Sequence, residues 1–427
     1  MTIAIRAPIP VVVQQHAEDV AMLRNTRTFL VSAPHVKLHQ LRRLDDRLAA
    51  HLDGLAVAGE FGSKLAAAAL ERPGRGEAFT ATVRAIEDRD VLGLDRLLAI
   101  AEAVPETLFG VISAFGWVSA ANLRGISKSL LDSPSPLRRQ VGLAACEMHQ
   151  VDPGTVVDAA LNDDDAAVRA RALRLVGYLG QVDKVSVCMD AMADEDARCA
   201  FAAARAAALL GNRGASVAAL RAIALAPGPW RSPALGLLLK LQEPEDAHAT
   251  LTALTQDAAC VRLLIQGIGI SGDPHYVPWL MKQMQDLKLT RLAGESFSLI
   301  TGLDLAYLDL ERKPPEGVDF GPNDDPDDDN VAMDEDDSLP WPDVEKITAW
   351  WQANGQRFAS GTRYFMGEPP TTALCLGVLN TGFQRQRRAA ATYLCLLKTG
   401  TPLFNTAAPA WRQQHLLALA GGVAPQP

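Results

Sequence analysis

Apolar side chains recur at the helical period along most of this chain. Val168, Ala172, Leu175, Val176 and Leu179 fall at i, i+4, i+7, i+8 and i+11, a single stripe along one helix face. Asp163, Asp164 and Asp165 precede the stripe, where carboxylates cap free N–H groups and complement the helix dipole. Gly180 follows as a left-handed terminator. Val261, Leu264, Ile265 and Ile268 repeat the stripe, with Asp257 before it and Gly269 at its expected end. Leu38, Leu41, Leu44, Leu48, Leu52 and Leu55 mark a longer amphipathic helix ending near Gly59, and further helices are predicted around 62–71, 76–89 and 91–103.

The stripes belong to a repeat. An arginine returns in similar settings at Arg138, Arg169, Arg198, Arg231, Arg262 and Arg291, in steps of 31, 29, 33, 31 and 29 residues. Each setting opens with a short, often acidic turn and continues as an apolar helix, as in LDSPSPLRRQVGLAA, LNDDDAAVRARALRLVGYLG and MADEDARCAFAAARAAALLG. Two helices and their turns fill about thirty residues, so the period is that of a helical hairpin. The fold expected is therefore all-α, a solenoid of stacked hairpins. Asp132 stands six residues before Arg138 and Asp163 six before Arg169, while Asp257 stands five before Arg262. A guanidinium fork there can reach a neighbouring turn's carboxylate and stitch successive repeats, so Arg138, Arg169 and Arg262 are expected in equivalent places. Pro227, Pro229 and Pro233 surround Arg231 without such an acid, and there the ladder should break.

The expected organisation has four parts: a helical N-terminal subdomain or capping repeats at 1–125, repeats at 126–312, an acidic insertion at 313–343, and C-terminal helices at 344–427 that continue the solenoid. The insertion stands apart in charge. From Glu316 to Asp343 it holds twelve acidic residues and no Lys or Arg, against a whole-chain net charge of −9, which leaves the remainder at +3. Proline-rich, acidic and nearly free of aliphatic side chains, it cannot bury enough surface to order itself and reads as disordered. The near-neutral body does not resemble a protein seeking phosphate backbones.

These features make the insertion the candidate partner-binding element, with Asp324, Asp325, Asp327, Asp328 and Asp329 as an electrostatic lure. Trp341, Trp350 and Trp351 flank it. Trp350 and Trp351 are consecutive and point about 100° apart on a helix, so one is expected inward and the other available to a partner, with core packing of both as the alternative.

Signatures of chemistry are missing from the sequence. The Asp run has adjacent acids, a proline among them and no glycine at the sixth position, unlike a calcium loop. His16, His35, His39 and His51 lie in one region without a zinc-binding pattern, and no phosphate loop or nucleophile elbow occurs. No catalytic residue, metal or cofactor is expected, and the chain is read as a non-enzyme. Six scattered cysteines without a C-x-x-C pair read as buried thiols in a reducing compartment. No secretory signal or membrane span is expected, which makes the cytoplasm the default location.

The repeated hairpins resemble the HEAT-repeat superfamily. The segments VVVQQHAEDVAMLRNTR at 11–27, LDDRLAAHLDGLAVAG at 44–59, WWQANGQRFASGTRYFMGEPP at 350–370 and FQRQRRAAATYLCLL at 383–397 are also similar to a bacterial family of HEAT-containing proteins encoded beside type VI secretion genes. That resemblance implies a scaffold that binds a co-encoded protein, as an immunity protein against a toxin or as an effector adaptor. The rival readings are a nucleic-acid-binding helical-repeat protein, which the charge balance opposes, and an enzyme whose groove leaves no linear signature.

Overall fold

The computed structural model describes residues 7–318, 321 and 333–421. Among them lie 22 α-helices and one two-residue antiparallel pairing, Glu311–Arg312 with Trp341–Pro342, so the fold is all-α. No helix in the described residues is long and apolar enough to cross a membrane. The chain divides into two compact units, residues 1–211 with 376–427, and residues 212–375.

In the first unit the leucine stripe of the Leu38–Val57 helix is wholly buried, packed on the Pro10–Leu30 helix. Asp45 interrupts that stripe because it has a buried partner: Arg27 Nε lies 2.6 Å from its carboxylate. Arg27 also donates to the carbonyls of Ala407 and Ala408 at 2.9 Å, and Asp45 accepts the N–H of Ala410 at 2.7 Å. Nearby, Arg387 is fully buried and donates to Gln384, to Gln413 and to the carbonyl of Leu379. These bonds explain a departure from the expected four-part organisation. Residues 376–427 belong with the N-terminal helices rather than following on from 344–375, because buried arginines left without these partners would cost several kcal/mol.

The repeat is clearest at 126–209. Short helices Ile126–Leu131, Val156–Leu161 and Val185–Asp190 alternate with longer ones, Pro136–His149, Ala166–Leu179 and Ala197–Leu209, and the longer ones pack side by side. Capping follows the sequence. Asp165 accepts from the N–H groups of Ala167 and Val168, Asp196 from those of Arg198 and Cys199, and Gly180 ends its helix at φ 70°. Small residues let the helices close up: a Cβ on Gly177 would sit 2.8 Å from Cα of Ala206. The second unit repeats this approach, with Gly269 against Ser296. Gly269 therefore lies inside the Val261–Ser271 helix instead of ending it, and Gly272 at φ 74° is the terminator.

Arginine forks do join successive turns, with one correction of identity. Arg139, not Arg138, is the counterpart of Arg169. Arg139 grips both oxygens of Asp163 at 2.8 Å and donates to the carbonyls of Ser133 and Pro134. Arg169 grips Asp194 at 2.9 and 3.1 Å and donates to the carbonyls of Asp163 and Asp164. Arg138 points away to Asp95. Arg231 donates to the carbonyl of Ala224, so the ladder breaks where the prolines stand.

Leu175 is fully buried at the middle of its stripe. Leu175→Ala should lower the unfolding free energy by about 3 kcal/mol in urea titrations, and Leu175→Asp should yield no folded protein. A loss below about 1 kcal/mol for the alanine variant would mean that this face is not core.

The forks also set a pH dependence. Asp194 titrates below its ordinary value of 3.8, first because Arg169 donates to it. Asp163 does too: burial would raise it, but the Arg139 fork and the Asp165 N–H outweigh that. Both carboxylates thus add stability that is present above about pH 5 and lost as pH falls below 3.8 through their lower folded values. The stability gap between wild type and Arg139→Gln/Arg169→Gln should be constant from neutrality down to that point and shrink below it. A gap unchanged in acid would show that the forks do not hold these carboxylates ionised.

Candidate partner-binding site

Asp324, Asp325, Asp327, Asp328 and Asp329 lie outside the described residues. The acidic segment that carries them nevertheless has two described feet in the second unit. At the first, Asp343 N–H donates to Leu310 at 2.9 Å beside the pairing of 311–312 with 341–342, and Lys346 donates to the carbonyl of Asp309 at 2.8 Å. Asp343 also caps the following helix, Val344–Asn354, by accepting from the Lys346 N–H.

The second foot is Asp334-Glu335-Asp336, and here the structure departs from the expected disorder of 313–343. Asp334 accepts the N–H of Asp336 at 3.0 Å, as Asp163 does from Asp165 and Asp194 from Asp196, each at 2.9 Å. The same turn is thus built a third time, and the same residue type reads it. Arg291 lies 2.6 Å from Asp334 and donates to the carbonyl of Asp336 at 3.0 Å. Arg262 grips the buried Asp336 carboxylate at 2.6 and 3.0 Å and lies 3.0 Å from Glu335. Hydrogen bonding by Asp336 pushes the Arg262 guanidinium above its ordinary value. Residues 333–343 are therefore held in the fold by charge as well as by the burial of Leu339 and Trp341, and the charged part is a source of order that a hydrophobicity argument overlooks. Arg262 meets Asp336 instead of an acid of its own successive turn, so its setting is related to that of Arg169 without matching it.

The three tryptophans resolve differently from one another. Trp341 is buried, and the Arg291 guanidinium stacks 4.9 Å over its ring. It fastens the foot and offers a partner almost no surface. Trp350 and Trp351 are both half-buried, so the division into one inward and one outward ring does not hold. Phe297 lies between their two directions and meets both edge-on, at 6.1 and 6.3 Å, while Phe358 packs against both. What remains exposed beside the acidic segment is Tyr307 at 85%, Met333 at 72% and Leu308 at 45%. The sequence reading missed these residues and the Arg262–Arg291 clasp, although the recurring Asp-x-Asp pattern could have revealed the latter.

Elsewhere, His16 and His51 meet through Nδ1 at 3.0 Å beside Asp19, whereas His35 and His39 are exposed and apart from them. Among the described residues no three His, Cys, Asp or Glu side chains are placed to hold a metal ion. All six cysteines are free and buried, and burial pushes the Cys188 and Cys395 thiols up to about 12, which keeps them from being thiolate nucleophiles at neutral pH.

Comparison of the chain with protein-family models, with curated proteins and with solved structures gives no match.

Removing Arg291 strips a buried carboxylate clasp of one member. Arg291→Ala should cost about 2–4 kcal/mol of stability. It should also speed cleavage after Glu335 by a glutamate-specific protease under native conditions. Equal cleavage rates in wild type and variant would show that the clasp does not hold the foot.

Proposed function

We propose that this chain is a non-catalytic, HEAT-like scaffold whose acidic segment recruits a basic protein partner. The observation that carries this reading is the anchoring of that segment. Its two feet are fixed by a strand pairing and by the Arg262–Arg291 clasp, and between them run Asp324, Asp325, Asp327, Asp328 and Asp329. A tether fixed at both ends presents its charge from one place, and exposed charge of one sign speeds the encounter with an oppositely charged surface. Tyr307, Leu308 and Met333 lie exposed beside the feet and supply the apolar contacts that slow dissociation. The resemblance of the segments at 11–27, 44–59, 350–370 and 383–397 to HEAT-containing proteins encoded beside type VI secretion genes supports a co-encoded toxin or effector as that partner, with the chain as its immunity protein or adaptor.

Two measurements test this reading. Co-purification with the neighbouring gene's product, followed by rescue from its toxicity, distinguishes immunity from adaptor. Association kinetics at two salt concentrations test the lure. Changing all five aspartates to Asn should slow association about tenfold at low salt and flatten its salt dependence, with a smaller change in dissociation. An unchanged association rate would remove the acidic run from recognition, and tight binding to duplex DNA at physiological salt would overturn the choice of partner class.

A further inference from the structure

The Pro10–Leu30 helix packs one face on the Leu38–Val57 and Arg75–Glu87 helices of the first unit and turns the other to solvent. That outer face is rich in apolar groups. Of the eighteen large hydrophobic residues exposed among the described residues, five stand on this helix or at its cap: Ile9, Val11, Val12, Met22 and Phe29. Single exposed apolar residues are ordinary on a protein surface, whereas their concentration along one helix marks a contact face.

Their spacing says what kind of contact. Val11, Gln15, Glu18, Met22, Asn25 and Phe29 are all exposed and follow one another in alternating steps of four and three. That is the 3.5-residue repeat along which two helices pack as a coiled coil. The stripe is complementary to itself when a second copy runs the opposite way. About a twofold axis near residue 20, Val11 meets Phe29, Gln15 meets Asn25 and Glu18 meets Met22, and each pair occurs twice. Apolar groups face apolar groups at both ends of the seam. Amides face amides in the next layers, and a polar layer of that kind fixes the register of a helix pair.

Charge selects the direction. A parallel alignment in register would set Glu18 against Glu18 at the seam, a like-charge contact. The antiparallel one lays Glu18, which accepts from Gln14 at 2.9 Å, against the Met22 side chain instead. Shape agrees. A groove beside the C-terminal half of the helix is lined by Met22, Phe29 and Leu30 and by Glu77 of the neighbouring helix. In the antiparallel register Val11 of the other copy, with Val12 beside it, comes opposite the apolar end of this groove at Phe29 and Leu30. We propose that this face is a homodimer interface, in which the Pro10–Leu30 helices of two copies pair antiparallel. The interface belongs to the first unit and does not rest on the acidic segment or on the scaffold reading.

Sedimentation velocity of the full chain over a range of concentrations tests this. Wild type should pass from the mass of one chain to that of two in the micromolar range, as befits a small interface with polar layers. Val11→Lys and Phe29→Glu should each weaken the dimer about tenfold or more, because each sets a charge against an apolar residue twice over. Leu92→Lys, at a residue of the Val91–Ala103 helix that is 70% exposed, as Val11 is, should leave the dimer unchanged. The two interface variants mixed in equal amounts should dimerise again. The lysine introduced in one then faces the glutamate introduced in the other, and the remaining Val11 and Phe29 form the opposite layer. Such rescue also excludes misfolding as the cause of the single losses. The proposal fails if wild type keeps the mass of one chain throughout, which would leave the face to a different protein. It fails if the interface variants dimerise as wild type does, or if Leu92→Lys weakens the dimer equally, since the contact would then lie elsewhere. A mixture that stays monomeric would rule out the antiparallel register and overturn it as well.

Discussion

A guanidinium fork closing on an Asp-x-Asp turn is the contact on which the regular part of this structure depends. The short helices at 126–131, 156–161 and 185–190 have six residues each, too few to stand without tertiary support. The turns that follow them leave backbone groups without partners at the point where successive hairpins meet. The second aspartate satisfies the free N–H groups of the next helix, and the first orders the turn by accepting from the second. The arginine six residues on takes up the turn's carbonyls and reaches the first aspartate of the next repeat. One side chain thus settles the polar demands of two turns. Exposed ion pairs contribute little, but these forks are bidentate and partly buried, and they fix register as well as adding energy.

The same unit of structure accounts for the part of the acidic segment that is ordered. Apolar content alone gives residues 313–343 no reason to join the fold. Asp334-Glu335-Asp336 joins it because it reproduces a turn for which Arg262 and Arg291 supply the complementary forks. Charge here adds to the burial of Leu339 and Trp341, and the desolvated Asp336 carboxylate is tolerated because the Arg262 fork closes on it while Arg291 takes up its carbonyl. Trp341 then covers Arg291, so a ring that looks like a partner contact is committed to holding the clasp together.

How much of this was legible in the sequence follows from the range of each interaction. The helices, their caps and the buried stripes are local, and periodicity with aspartate and glycine signals locates them to within a residue or two. The ladder was legible as a principle but not to the residue. Arg138 and Arg139 are adjacent, a period of about thirty residues cannot choose between them, and a turn of roughly 100° about the helix axis decides it. Gly269 reads as a terminator, yet it is the small residue that lets Ser296 approach. Bonds that join residues hundreds of positions apart leave no local trace. Nothing near Asp45 announces that Arg27 and the backbone of 407–410 will meet it, and so the return of residues 376–427 to the first unit was not foreseen. The candidate site was half legible: its charge is plain in composition, whereas its clasp and its exposed apolar neighbours depend on folding.

Arginine serves this protein in two geometries, closing on carboxylates and lying over aromatic rings. Where a carboxylate is in reach, as at Asp45, Asp163, Asp194 and Asp336, the guanidinium is structural, and its planar fork suits turns and buried corners better than lysine would. Around Tyr178 the fork takes another role: Arg174 and Arg205 lie over its ring, and Arg174 also shares Glu147 with Arg171. The formal charge of the body outside the acidic segment, only +3, does not report this division, because it counts every guanidinium alike. Net charge argues against a surface uniformly attractive to nucleic acid, and it says nothing of where single guanidinium groups meet carboxylates or rings.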